Sequence, residues 1–177
     1  MERSPIAIRD LAFDHSIISK RWLLLTAGEF ATGKFNAMTI SWGSVGEIWN
    51  KPFFQVVVRP QRYTRVFMDP GDWFTLSVFP ETNKPALSLL GSKSGRDCDK
   101  IKLSGLTPIA STIAPAPGYE EAELIVECRK MYWQDIDPAH FLDASIAGNY
   151  ANKDYHRAYF GEIMAVSGTD KYRSKEH

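Results

Sequence analysis

Apolar and polar side chains alternate with a period of two through much of this chain, and that pattern predicts strands. Arg21 to Ala27 is rich in leucine and reads as one strand, Phe35 to Trp42 as a second, with Gly28 and Gly33 breaking the chain between them as in a hairpin. Phe53 to Val58 is a short run of aromatic and β-branched residues, predicting a strand buried on both faces that ends where Pro60 removes a ladder donor. Trp73 to Phe79 reads as a further strand. The clearest alternation sets Ala122, Leu124, Val126 and Cys128 against Glu121, Glu123, Glu127 and Arg129, which predicts a half-exposed strand that Tyr132 and Trp133 extend. Ala158 to Val166 reads as the last strand.

Helical signals are short. Tyr63 to Met68 predicts a small helix stopped by Asp69-Pro70-Gly71. Asn83 is placed to cap a second helix that takes Pro85 into its first turn and stops at Gly91, and Asp97 to Leu103 predicts a third. Thr169 to His177 reads as a charged tail that frays. Many short strands, few short helices and no regular βαβ alternation predict a mainly β fold, an antiparallel barrel with helical insertions. A length of 177 residues with no repeat, linker or low-complexity tract predicts one domain over 1–177, its core spanning about 19–166.

Charge narrows the range of ligands. The formal net charge is zero, so no global field attracts nucleic acid or an anionic membrane, and any ligand charge must be met locally. No apolar run approaches the roughly 18 residues a membrane span needs, and Met1 to Pro5 lacks the apolar stretch of a signal peptide, so a cytoplasmic protein is expected. Cys98 and Cys128 show neither CxxC spacing nor a neighbouring ligand cluster, which predicts free thiols and no metal site. A Gly-x-Ser-x-Gly elbow is absent too, so hydrolase chemistry has no support.

Three segments carry the candidate chemistry. In the first, Asn36, Met38, Ile40 and Trp42 face one way and Ala37, Thr39 and Ser41 the other, so both faces can be occupied. Backbone amides, hydroxyls and the Asn36 amide there suit a flat heteroaromatic ring, and Trp42 suits packing against it. In the second, Arg59 and Arg62 flank Pro60 ahead of Tyr63 and Thr64, where guanidinium groups and a helix start suit a phosphate. The third, Ser92 to Lys100, places Ser92, Ser94, Arg96 and Lys100 around Gly95, whose backbone freedom lets successive amides converge on an anion. Each segment also has an ordinary reading: a barrel strand, a solvated turn, a capped helix end with surface ion pairs.

The ordered set, together with Trp49-Asn50-Lys51-Pro52 ahead of the strand ending near Arg59, resembles the flavin reductase-like family of FMN-binding split barrels, and within it the flavoredoxin type. The resemblance runs from about Ser19 to about Ala165. It implies a six-stranded antiparallel Greek-key split barrel that forms a homodimer, with FMN near the subunit interface. It further implies that Asn36 to Trp42 hold the ring, that Arg59, Arg62, Tyr63, Thr64, Ser92, Ser94, Gly95 and Arg96 hold the ribityl phosphate, and that Lys100 meets either the phosphate or negative charge on the reduced ring. His140 matches a position that approaches the cofactor, from either subunit. His156 lies where related reductases carry Gly-Asp-His, although this chain reads Asp154-Tyr155-His156. Since hydride chemistry resides on the flavin, no protein acid or base is required. The implied activity is an oxidoreductase taking hydride from NADH or NADPH and passing electrons to free flavin, a redox protein or a small acceptor. The alternatives are a flavoredoxin-type electron carrier without efficient nicotinamide turnover, and a flavin-binding module without catalysis.

Overall fold

A computed structural model describes residues 2–174. Ten strands and four α-helices alternate with short 3-10 turns. The strands are β1 (Ser4–Pro5), β2 (Leu23–Glu29), β3 (Lys34–Ile40), β4 (Gly43–Ile48), β5 (Lys51–Val58), β6 (Trp73–Val78), β7 (Pro108–Ile109), β8 (Gly118–Tyr119), β9 (Leu124–Asp135) and β10 (Arg157–Gly168). The helices are α1 (Ser16–Lys20), α2 (Arg65–Met68), α3 (Lys84–Ser92) and α4 (Lys100–Ser104).

The main sheet is antiparallel in the order β3-β2-β6-β9-β10-β5-β4, with β1 added beside β10 and β7-β8 forming a separate ribbon. Chain connectivity dictates its shape. Seven strands laid flat place their outer edges about 29 Å apart. Yet those edges, β3 and β4, are joined by Ser41 and Trp42 alone, a link that reaches roughly 11 Å. The sheet therefore curls until the two edges meet at that link, and β3 and β4 are never paired with each other. A barrel with one open seam results, mainly β and antiparallel with short helical insertions, as the sequence pattern predicts.

Alternate residues of every long strand fill the interior. Leu23, Leu25, Met38, Ile40, Phe54, Val56, Phe74, Leu76, Leu124, Val126, Tyr159 and Ile163 belong to one buried cluster. A second cluster lies outside the sheet, where Leu87 and Leu90 of α3 with Leu106, Tyr119 and Ala122 cover Leu24, Ala37 and Ile125. This layer accounts for β2 being buried on both faces.

Several expectations require correction. The main sheet has eight strands rather than six. Short β1 and glycine-interrupted β4 supply the excess, and neither carries a clean alternation. Strand β5 alternates, with Phe54, Val56 and Val58 buried and its other face only partly covered. Conversely, β9 is buried on both faces from Leu124 to Cys128. Glu127, read as solvent-facing, is 2 % exposed. Its carboxylate accepts from the backbone amides of Thr112, Ile113 and Ala114 at 2.7, 2.8 and 2.7 Å, and this satisfies the charge inside the fold. Helix α3 passes through Gly91 to Ser92, and the Asn83 side chain makes no capping bond. The tail is docked as far as Ser174: Tyr172 is buried and its hydroxyl donates to Glu123 at 2.9 Å. His177 lies outside the described residues.

Candidate functional site

The open seam along the free edge of β3 gathers most of the expected site residues. Since β3 pairs only with β2, the backbone groups along its outer edge have no sheet partner and face the seam. Its side chains are occupied structurally. Met38 and Ile40 point into the barrel, Ala37 is buried under α3, and the Thr39 hydroxyl donates to Leu87 O at 2.5 Å. The strand thus offers backbone more than side chain to a ligand.

Two clefts open here and share Met38, Arg59 and Arg62. One, of about 180 Å³, is lined by Met38 to Trp42, Val57, Arg59, Arg62 and His156. Trp42 forms its mouth at 46 % exposure, its ring centroid 5.4 Å from that of His156. The other, of about 330 Å³, is lined by Gln61 to Thr64, Ser92 to Ser94 and Lys100 besides the shared residues. On the far side of the Gly95 loop a broad open depression runs from Gly33 to Asn36 and from Gly95 to Lys102.

Thr64 lines the second cleft, whereas Asn36 opens only onto the depression beyond the Gly95 loop. Both are buried, and Asn36 Nδ2 donates to Thr64 Oγ1 at 2.7 Å, tying β3 to the start of α2. Gly95 closes over them: a Cβ at this position would lie 2.3 Å from Asn36 Oδ1 and 2.9 Å from the Tyr63 ring. Only glycine permits that approach. Arg96 lies over Tyr63 with its guanidinium carbon 4.9 Å from the ring centroid and donates to Gln61 O, so it braces the loop from outside. Ser94 Oγ accepts from the Arg96 amide at 3.2 Å, and Ser92 Oγ donates back into α3.

The cations are the telling feature. Arg59 is paired, to Asp154 at 2.7 Å, and donates to Asn149 O. Among the described residues, Arg62 and Lys100 pair with no carboxylate; Arg62 donates to Gly91 O, and Lys100 Nζ to Leu90 O and Lys93 O at 2.9 and 3.1 Å. Burial, then the charge of Arg62, pushes Lys100 down to about 8, and burial, then Arg59, lowers Arg62. Cations that destabilise one another beside hydroxyls and a helix start are a demand for an anion.

His156 is 7 % exposed, and its Nδ1 lies 2.8 Å from the Tyr150 hydroxyl. Burial, then Arg59, pushes it down to about 4, so the imidazole is neutral at physiological pH. His140 is exposed at the end of the 3-10 turn Pro138–His140 and lines neither cleft. Tyr150, Asp154, Gln61 and Val57, which sequence reasoning left out, line or brace the site. Asp154 figures only in the broken Gly-Asp-His order, and the sole signal for Tyr150 was the aromatic and charged density of Tyr150 to His156, in a segment without periodicity.

The donor set fits a flat ring with an anionic tail: unpaired strand edge and Trp42 on one side, cations and hydroxyls on the other. Residues 16–172 match the family model described as flavin reductase like domain. No protein of curated function matches. Among solved structures, the FMN-binding domain of a flavin reductases-like enzyme from Shewanella baltica superposes with a TM-score of 0.69 at 15 % identity, covering 94 % of this chain and 77 % of that one. Flavoredoxin from Desulfovibrio vulgaris gives 0.66 at 21 % identity, covering 97 % and 78 %. Flavoredoxin from Methanosarcina acetivorans gives 0.65 at 22 %, covering 94 % and 73 %. At these identities the likeness is one of fold.

Proposed function

This chain belongs to the flavin reductase-like family, and on that premise we propose that it is an FMN-dependent oxidoreductase, taking hydride from NADH or NADPH and delivering electrons to free flavin, a redox protein or a small acceptor. The observation that carries the reading is the pair of adjoining clefts, one edged by unpaired backbone and Trp42, the other holding Arg62 and Lys100, which have no carboxylate partner among the described residues.

When bound, FMN supplies the hydride and electron chemistry. The chain binds and orients it. Backbone groups on the outer edge of β3 offer hydrogen bonds to the ring's polar side, and Trp42 shields the ring from water. Arg62, Lys100 and the hydroxyls of Thr64, Ser92 and Ser94 take the phosphate end, each charge-assisted bond contributing roughly 1.5–3 kcal/mol. Arg59, already paired with Asp154, serves more as a strut between β5 and the segment before β10. His140 reaches no cleft of its own protomer, so a role for it at the cofactor requires a second subunit.

The test is a visible spectrum of the purified protein followed by titration with FMN. A yellow protein releasing FMN, or saturable binding of added FMN, supports the reading; a colourless protein that binds none overturns it. A second reading, a flavoredoxin-type electron carrier, is favoured by one observation. The acidic residue near His156 is committed to Arg59 and Gln61, at 2.7 and 2.5 Å, and does not stand directly before His156 as in Gly-Asp-His. Rapid mixing of the flavin-loaded protein with NADH and NADPH separates the two: fast bleaching marks the reductase, slow bleaching the carrier.

A further inference from the structure

The segment Ile136 to His156 contains no strand, yet it builds a rigid mount for one hydroxyl. The Tyr150 ring is stacked on Phe141 (centroids 5.9 Å apart, planes at 21°), packs on Tyr155 at 5.0 Å, and has the Arg59 guanidinium 5.1 Å from its centroid. Arg59 in turn holds Asn149 O and Asp154, which flank that tyrosine. Tyr150 is 6 % exposed, and its hydroxyl has one partner among the described residues, His156 Nδ1 at 2.8 Å.

A buried phenol must place its proton. Were Nδ1 the donor, the Tyr150 proton would have no acceptor, a loss of about 1–3 kcal/mol. Tyr150 therefore donates, Nδ1 accepts, and the proton of the neutral imidazole resides on Nε2. That nitrogen makes no hydrogen bond among the described residues and is absent from their buried unpartnered atoms, while the ring lines the cleft beside Trp42.

We propose that Tyr150 is a positioning residue that locks His156 as the Nε2–H tautomer, so that the imidazole presents a neutral hydrogen-bond donor to a carbonyl oxygen of a planar heteroaromatic ring in the cleft. This rests on the flavin reading above for the ring's identity, but not for the tautomer. Two rings carry suitable carbonyls: the flavin's own pyrimidine portion and the carboxamide of a nicotinamide.

The test starts with the flavin-free protein. Long-range proton–nitrogen NMR correlations should show Nε2 of His156 as pyrrole-type and Nδ1 as pyridine-type, and Tyr150→Phe, which keeps the stacked ring, should mix the two tautomers. A protonated Nδ1 in the native protein, or a pattern unchanged by Tyr150→Phe, overturns the proposal. His156→Phe, which removes the donor, and Tyr150→Phe, which only frees the tautomer, are then compared with the native protein for FMN affinity by fluorescence quenching and for the KM of NADH and NADPH. A loss in FMN affinity of about fivefold in His156→Phe and about twofold in Tyr150→Phe, at unchanged KM, assigns the donor to the flavin; rises in KM of similar size at unchanged affinity assign it to the nicotinamide. No effect on either, with thermal unfolding unchanged, overturns the proposal. If the tautomer is as assigned but no FMN binds, the flavin reading fails and the Tyr150–His156 arrangement stands.

Discussion

Lys100 answers to two demands. Its ammonium closes the carbonyl end of α3, through Leu90 and Lys93, and it also lines the cationic cleft beside Arg62. Burial and Arg62 leave its charge easy to lose, near pH 8. A phosphate in that cleft favours the charged form, so FMN affinity should be flat below about pH 8 and fall as pH rises through it, by as much as tenfold per unit. Quenching titrations between pH 6.5 and 9.5 measure the slope. Lys100→Met should lower affinity by about 1.5–3 kcal/mol at neutral pH and remove the slope; a slope that persists excludes Lys100 from the phosphate. His156 gives a stability effect of defined sign. Its folded pKa, about 4, lies below the ordinary 6.5. The unfolded chain takes up the proton first as pH falls, so the native fold loses stability between about 6.5 and 4. Carboxylates held low, such as Glu123 beside Arg21, add their own loss at more acidic pH. His156→Gln should remove the loss within the 6.5-to-4 window alone, read as a difference in urea midpoints between the two proteins.

Among the elements, the loop held by Glu127 shows what a carboxylate does inside a β-layer. Three consecutive amides, Thr112 to Ala114, donate to it, and Thr75 Oγ1 donates to Pro117 O in the same segment. Glu127→Ala strands those amides and should cost about 3 kcal/mol, whereas Glu127→Gln keeps an acceptor and should cost less. Urea denaturation of both variants checks this; equal, small losses would mean that water replaces the carboxylate. Glu127 also shows where sequence reading stops. The strands β2, β3, β5, β6, β9 and β10 were legible because each carries its own alternation or apolar run. Whether a polar position faces solvent depends on which remote segment covers it, and nothing near Glu127 in sequence announces residues 112–114. For the same reason the three site segments were legible as chemistry, since they are local, but Tyr150 was not. Its role arises from the return of a non-periodic segment across Arg59. Gly95 was legible as permissive; its contact with Asn36 Oδ1, across a gap of 59 residues, was not.

At the scale of the molecule, the barrel leaves an aromatic face uncovered. Trp49 stands at the β4–β5 turn with φ 54° and 57 % exposure. A large side chain in the left-handed region costs roughly 1–2 kcal/mol. Its ring meets Tyr132 at 5.9 Å, Tyr132 meets Phe160 at 5.7 Å, and Phe160 meets Phe53 at 5.6 Å, so the patch crosses β9, β10 and β5. Lys51 and Arg129 rim it, both paired to Glu162. An aromatic centre with a charged rim suits a protein interface. We propose a second copy of this chain as its occupant. The cleft at Trp42 and the patch at Trp49 lie at opposite ends of β4, about 20 Å apart at strand rise. A two-fold axis crossing the middle of that strand would set the hairpin tip of one copy against the cleft of the other, and each interface would close two flavin sites. Dimerisation and FMN affinity should then be linked. Sedimentation of the native protein at micromolar concentration should give a dimer, and Trp49→Ser combined with Tyr132→Ser should give a folded monomer that binds FMN at least tenfold more weakly. A native monomer that binds FMN with an affinity independent of protein concentration would place the whole site within one chain, and would remove the last route by which His140 could reach the cofactor.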